Sequence, residues 1–363
     1  MKTIGVITFH QANNYGAVLQ AYALCSYLNS IDGVSAEVIN YQSSAIEKRN
    51  MHLPFDKQTH LSTKNMVKGF LNYRNIKTNR AVFDSFRKRY LPLSTALSKQ
   101  QLSEETSKYD ILICGSDQIW NLDITEADKS YFLDFSKDHQ LKYSYAASVG
   151  ESQLVTQHKD FFNQQLAHFQ MISVREESLV NELEQVIVKK ARKVLDPVFL
   201  LDSIEWRRIA TDVKRESYIL VFKMGTNKTG ERILSFAKEL AQEKGLKVIL
   251  LSDKEVWYKY RDYIHFGVAT PEEFIGLINN AEIVVTNSFH ATAFSLILNK
   301  EFYVDTQIPR AERIKDLLNL CGLEAEGLTV RSKDLNWNVI NDKLYNSIIE
   351  SKAFLQQIVS DVI

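Results

Sequence analysis

The chain has 363 residues, which at roughly 150 residues per domain points to two domains. Lys and Arg number 44 against 44 Asp and Glu, so there is neither a global basic field for nucleic acid nor an acidic tail. With 45% hydrophobic residues and only 13 Gly and 5 Pro, the composition excludes disordered, collagen-like and Pro-rich classes and predicts regular elements around large cores.

In chain order, Ile4 to Phe9 reads as a buried strand, and the apolar stretch ends in His10-Gln11, too short for a signal-peptide core. Gly16 to Leu28 reads as a helix with apolar spacing at Val18, Ala21, Tyr22 and Leu28, and Ala36 to Tyr41 as the next strand. Residues 64–90 then place Lys64, Lys68, Arg74, Lys77, Arg80, Arg87, Lys88 and Arg89 against Asp84 alone, a local charge of +7 in a neutral chain. Val67, Phe70, Leu71, Phe83 and Phe86 give this segment apolar anchors. It reads either as a helical flap meeting an anionic acceptor or membrane face, or as a solvated helical insertion. Strands follow at Asp110 to Cys114, Lys142 to Ala147 and Met171 to Val174, the last two separated by a helix near 154–168, and Lys193 to Leu195 leads into Asp196-Pro197.

The alternation restarts with a strand at Tyr218 to Phe222, a helix at 230–244 and a strand at Lys247 to Leu251. A helix at 271–279 opens on Pro271 with Glu272 and Glu273 in its first turn. A strand at Glu282 to Val285, a helix at 290–298 and a strand at Glu301 to Val304 follow, and a last helix has Leu344, Ile348, Leu355, Val359 and Val362 near one face. Two successive β/α series predict an α/β protein of two Rossmann-like domains with mainly parallel sheets, residues 1–200 and 201–340, with a terminal helix over 341–363. Such domains meet a ligand in the cleft between them, at the carboxyl ends of the strands.

Several loops at those ends could carry chemistry. Asn13, Asn14, Tyr15 and Gly16 join the first strand to the first helix and would turn backbone N–H groups into the cleft; the stretch lacks GxGxxG, and an ordinary βα turn fits as well. Gly225 to Gly230 has Walker spacing, but Glu231 where Lys is needed rules out a P-loop. Lys223, just before it, reads as a cleft cation or as a surface lysine. Asp117 and Trp120 follow the apolar strand ending at Cys114 and Gly115. Asp117 could take a sugar hydroxyl proton and Trp120 could stack on a sugar ring; the alternatives are a helix cap and a core tryptophan. Arg175 sits where a strand yields to a helix, suited to a phosphate or carboxylate, or to a salt bridge with a neighbouring Glu. His290 follows Asn287-Ser288-Phe289 at a strand's carboxyl end, where the helix N-terminus disfavours the imidazolium form, a setting that suits a proton carrier near neutral pH.

The eight His show no HxxxH or HExxH spacing, no loop has EF-hand form, and GxSxG is absent, so no metal site and no serine-hydrolase elbow is expected. Cys25, Cys114 and Cys321 are far apart and form no CxxC, which fits a reducing compartment. No apolar run approaches the ~18 residues of a membrane span. A soluble cytoplasmic protein is expected, with peripheral contact at the inner membrane face if the basic segment docks there.

TFHQANNYGAVLQAYAL at the start, ICGSDQIWN, YAAS at 145–148, ISVREES, LDPVFLL and VVTNSFHAT, in this order and spacing, resemble the polysaccharide pyruvyl transferase family over roughly residues 1 to 330. The resemblance implies a GT-B-like fold, with the terminal helix packing back toward the first domain. It also implies transfer of an enolpyruvyl unit from phosphoenolpyruvate, as a ketal, to a sugar of a cell-surface polysaccharide or its lipid-linked precursor. Phosphoenolpyruvate is then a co-substrate, and no cofactor or metal is needed. By position, Arg175 matches a donor-binding arginine and His290 the histidine of the family's Arg-x-His element. Ser288 stands where the family usually has that arginine, so either Arg313, Arg310 or Lys223 supplies the second cation for the donor, or the donor differs. A nucleotide-sugar glycosyltransferase and a catalytically silent glycan-binding member are the other readings of the same architecture.

Overall fold

A computed structural model describes residues 1–50, 63–150, 153–213, 215–224, 228–252, 263–308, 311–324 and 335–360. The strands of its first half are β1 (Lys2–Ile7), β2 (Val34–Val38), β3 (Ile111–Cys114), β4 (Leu141–Ser144), β5 (Ile172–Val174) and β6 (Ala191–Lys193). Those of its second half are β7 (Tyr218–Lys223), β8 (Lys247–Ser252), β9 (Ile264–His265), β10 (Ile283–Thr286) and β11 (Glu301–Val304). Every ladder between them is parallel.

The first sheet runs β2-β1-β3-β4, and the β5-β6 pair continues it through bridges from Tyr143 to Met171 and from Ala147 to Val174. The second runs β11-β10-β7-β8-β9. These are two Rossmann-like domains. The strand order reverses between β1 and β3 in one sheet and between β7 and β10 in the other, which is where ligands meet such sheets. β3 and β10 are buried at every position, and their uninterrupted apolar sequences are what a strand covered on both faces requires.

The helix Tyr15–Asn29 is capped by Asn14, whose side chain accepts from the Ala17 amide at 2.7 Å. It is buried nearly all round because it belongs to two cores. Leu24, Cys25 and Leu28 pack with Ile4, Val6 and Ile111 of the first sheet. Val18 and Leu19 pack with Phe222, Phe274 and Phe294 of the second domain. The helix Trp337–Ser360 is shared in the same way: Ile340 and Leu344 join that second core, while Phe354, Leu355 and Ile358 join the first.

Local differences from the expected elements have physical reasons. The helix expected near 154–168 is two, Leu154–Gln157 and Lys159–Leu166, broken at His158. β2 ends at Val38, and Tyr41, expected within it, makes only an isolated bridge to Leu97. β9 is two exposed residues, too short for any periodic signal.

The basic segment lies in a helix, Thr63–Tyr90, but not all its cations face solvent. Phe83 and Phe86 are buried in the core between the domains, and Arg87 is only 4% exposed. Arg87 donates to the carbonyls of His10 and Ala12, to the Asn13 side chain at 2.8 Å and to Asp84 at 2.7 Å. The expectation that Arg87 belongs to a docking face is therefore corrected: it clamps the loop after β1. Lys88 and Arg89 are exposed. The side chains of Lys64, Lys68, Arg74, Val67, Phe70 and Leu71, as well as Gly225 to Asn227, Arg310 and Val362, lie outside the described residues. Among the described residues no helix is long and apolar enough to cross a membrane.

Candidate active site

Arg175 directly follows β5, and its amide donates to the Ala147 carbonyl at 3.2 Å. Its buried guanidinium faces three carboxylates: Nη1 is 2.5 Å from Asp196, Nε 3.5 Å from Glu176 and Nη2 3.6 Å from Asp117. The guanidinium also lies over the Phe289 ring, 5.1 Å from its centroid. Arg313, from the helix Glu312–Leu320, lies over the same ring at 5.8 Å, with Nη1 4.0 Å from Asp117. Burial alone would lower the Arg175 pKa, but the charges of Glu176, Asp196 and Asp117 outweigh it and raise it. Arg313 goes the other way, lowered by burial and then by the charge of Arg175, against the pull of the carboxylates.

Asp196 caps the short turn Pro197–Leu200, accepting from the Val198 amide at 3.1 Å. Burial would raise its pKa, yet His290 and Arg175 together hold it well below the usual carboxylate range. Glu176 is buried, and its Oε1 accepts from the Ser148 hydroxyl at 2.7 Å. Asp117 is partly exposed and has a left-handed backbone, φ 72°. Such strain in a non-Gly residue gathers at functional sites.

His290 is the second residue of the helix Phe289–Ile297. Its Nε2 lies 3.7 Å from the Asp196 carboxylate. The other edge of the ring rests on Gly16: a Cβ there would sit 2.1 Å from Nδ1 and 2.2 Å from Cε1. A glycine at position 16 is thus what lets the imidazole lie against the N-terminal turn of the helix Tyr15–Asn29.

The site accordingly brings together Arg175, Asp117, Arg313, His290 and Gly16. Three carboxylates outnumber two guanidiniums, so any anion held here is recognised by directed donors more than by net charge. Those donors exist: Arg175 Nε and Nη2 and Arg313 Nε are buried and complete no hydrogen bond among the described residues.

Other expected site residues sit elsewhere. Trp120 is fully buried, stacks on Phe132 and donates to the Tyr131 carbonyl at 3.2 Å; it is core and is not exposed to stack on a sugar. Tyr15 stacks on Phe274 with centroids 4.4 Å apart and donates to the Ala269 carbonyl, so it joins the two domains and does not line the cleft. Asn14 is the helix cap, and Asn13 is held by Arg87 and Asn50. Ser288 caps the helix Phe289–Ile297 by accepting from the Ala291 amide. Lys223 is buried and no surface lysine: its stem runs against Gly230, where a Cβ would meet Cε at 2.0 Å.

Asp196, Phe289 and Ser148 are the residues that sequence reasoning missed. Asp-Pro opening a turn is the one signal Asp196 gives, and it reads as a cap. Among the described residues no three His, Cys, Asp or Glu side chains gather as a metal site.

The paired parallel sheets, the cleft between them and the helix returning across both define a GT-B-type fold. Known structures with this fold align along almost the whole chain. MnaA from S. aureus, solved with UDP, aligns over 97% of this chain and 91% of its own at 12% identity and a TM-score of 0.53. The UDP-GlcNAc 2-epimerase of Methanocaldococcus jannaschii aligns over 96% and 92% at 11% identity and a TM-score of 0.52. The Neisseria meningitidis UDP-GlcNAc 2-epimerase, bound to UDP-GlcNAc, aligns over 99% and 100% at 12% identity and a TM-score of 0.51. No curated protein matches the sequence significantly. The sequence model of the polysaccharide pyruvyl transferases matches residues 14–304, and the chain belongs to that family.

Proposed function

We propose that the protein transfers pyruvate, as a ketal, from phosphoenolpyruvate to a pair of sugar hydroxyls on a cell-surface polysaccharide or its lipid-linked precursor. One observation carries the reading: Arg175 and Arg313 share the Phe289 ring beside His290, and buried N–H groups of both complete no hydrogen bond among the described residues. Phosphoenolpyruvate carries a carboxylate and a phosphate and needs two such sockets. Arg313 takes the part of the cation that position 288 lacks.

In this reading the His290 imidazolium gives its proton to the methylene carbon, creating an oxocarbenium-like centre at C2. A sugar hydroxyl adds to C2 while Asp117 takes its proton. A second hydroxyl then displaces phosphate, which leaves carrying the proton from Asp117; the ketal ring closes, and the second hydroxyl's proton returns to the imidazole. Asp196, out of contact with solvent, attracts and orients the imidazolium. Acid–base work of this kind contributes ~10²–10⁴-fold in rate.

Calorimetry with phosphoenolpyruvate and with a panel of nucleotide sugars, joined to phosphate release in the presence of glycan acceptors, tests the proposal. Arg313→Ala is expected to weaken phosphoenolpyruvate binding by roughly 10- to 150-fold, the loss of a charge-assisted hydrogen bond. His290→Ala is expected to lower turnover far more than donor affinity. Wild-type protein that binds a nucleotide sugar and ignores phosphoenolpyruvate would replace this reading with a glycosyltransferase.

A further inference from the structure

The helix Glu177–Glu184 begins two residues after Arg175. The first amides of any helix need acceptors from outside its own ladder. Glu176 stands at the capping position, yet its side chain makes no bond to the helix. Its carboxylate is taken elsewhere: Oε1 accepts from the Ser148 hydroxyl at 2.7 Å and lies 3.5 Å from Arg175 Nε. The missing acceptor comes from the other domain. Asp316 Oδ2 accepts from the Glu177 amide at 3.2 Å, where the helix dipole also favours a carboxylate.

Asp316 lies on the helix Glu312–Leu320, three residues after Arg313. Ile314, Leu317 and Leu318 seat this helix in one core with Val284 and Phe302 of the second sheet. Residues three apart on a helix are neighbours on its surface, so Arg313 and Asp316 leave the second domain side by side. Both reach the first domain, Arg313 at Asp117 and Asp316 at the amide that follows Glu176. Of the two contacts, only the second is a hydrogen bond. Arg313 Nη1 stands 4.0 Å from Asp117, beyond hydrogen-bonding range, and Arg313 Nε completes no hydrogen bond among the described residues. The Phe289 ring beneath the guanidinium belongs to the second domain as well. What fixes Arg313 against the first domain is therefore the neighbouring carboxylate.

We propose that Asp316 is a positioning residue: by accepting from the Glu177 amide it docks the Arg313 helix beside Arg175 and sets the spacing of the two guanidiniums. The inference rests on the reading of Arg175 and Arg313 as the two sockets for phosphoenolpyruvate. That spacing matters because the carboxylate and the phosphate of phosphoenolpyruvate are both attached to C2. So short a ligand cannot follow sockets that drift apart, and one of its charge-assisted contacts would be lost.

Calorimetry of phosphoenolpyruvate binding to Asp316→Ala, Asp316→Asn, Arg313→Ala and the Asp316→Ala, Arg313→Ala double variant tests this as a cycle. Asp316→Ala is expected to weaken binding roughly 2- to 30-fold, the range of a lost helix cap. Asp316→Asn offers the same acceptor oxygen and should stay within about twofold of the wild type. In the Arg313→Ala background, Asp316→Ala should cost nothing further, since neighbours that act as one are not additive. A cap that serves stability alone would lower the melting temperature and leave affinity unchanged, or would weaken binding equally in both backgrounds; either result overturns the proposal. A second measurement needs no ligand. The Arg313 Nε–Hε resonance, assigned by its loss in Arg313→Ala, should shift in Asp316→Ala and return in Asp316→Asn; a resonance that stays in place overturns the proposal too. Failure of the donor reading looks different: the wild type would show no affinity for phosphoenolpyruvate, and the resonance alone would decide whether Asp316 positions Arg313.

Discussion

Gly16→Ala is the sharpest perturbation the fold offers. The added methyl would stand 2.1 Å from His290 Nδ1 and 2.2 Å from Cε1, whereas carbon–heavy-atom contacts settle near ~3.5 Å. The imidazole must therefore retreat by more than about 1 Å. The backbone gains: alanine is better than glycine in a helix by roughly 0.5–1 kcal/mol, and position 16 lies within the helix Tyr15–Asn29. Stability and activity should then move independently. Misplacement of a catalytic group by about 1 Å costs on the order of 10²-fold in rate, while the melting temperature should stay within about 4 °C of the wild type. Phosphate release at saturating phosphoenolpyruvate and acceptor measures the first, and calorimetric melting the second. The His290 ring resonances in a ¹H–¹⁵N spectrum report the displacement itself. Wild-type turnover with a shifted His290 signal would show that the imidazole is not the proton carrier. A cooperative melt lowered by tens of degrees would show that Gly16 serves packing alone.

Three other outcomes follow from the geometry. Ser288→Ala should cost about 0.5–2 kcal/mol of stability through the lost cap and leave phosphoenolpyruvate affinity unchanged; weakened donor binding in urea-stable protein would return Ser288 to the site. Arg87→Ala should destabilise by about 2–4 kcal/mol, because it strips a charged donor from two carbonyls and a side chain, and hydrogen exchange at the Ala12 and Asn13 amides should accelerate. Exchange as slow as in the wild type would refute the clamp. Burial pushes the His10 imidazole down to about 4, against hydrogen bonds with Asn40 and Thr8 that favour protonation. The unfolded chain then binds a proton that the folded one refuses as pH falls from 6.5 toward 4, so stability is present at neutral pH and lost on acidification. From pH 7 to pH 5 the loss is about 2 kcal/mol; urea melts at the two pH values measure it, and His10→Gln should remove most of that slope.

The architecture was legible because uninterrupted apolar strands alternate with helices, and a parallel sheet needs both. Strand ends then point to sites, which is how Arg175 and His290 stand out. Contacts made by side chains from distant loops leave no such trace. Asp117 and Arg313 face each other across the cleft, yet nothing near either in the chain says so. Trp120 failed as a sugar platform for a local reason: its indole N–H found the Tyr131 carbonyl inside the core, and a buried and an exposed tryptophan look alike in sequence. Arg87 reads as one more surface cation in a basic run until the carbonyls it holds are seen. Asp196 was masked by its own chemistry, since one carboxylate oxygen caps a turn while the other serves Arg175.

The helix Trp337–Ser360 has a mechanical meaning. Its 24 residues span about 36 Å, rooted at one end in one core and at the other in its neighbour. Midway, the Ser351 hydroxyl receives the Leu195 amide at 2.9 Å, close to the turn that carries Asp196. A rod fixed at both ends and pinned in the middle resists hinge rotation, because swinging one half would bend it or pull an anchor from a packed core. Together with the aromatic stack of Tyr15 on Phe274, it ties the two domains at points away from the cleft, so substitutions along a distant helix are expected to alter the cleft.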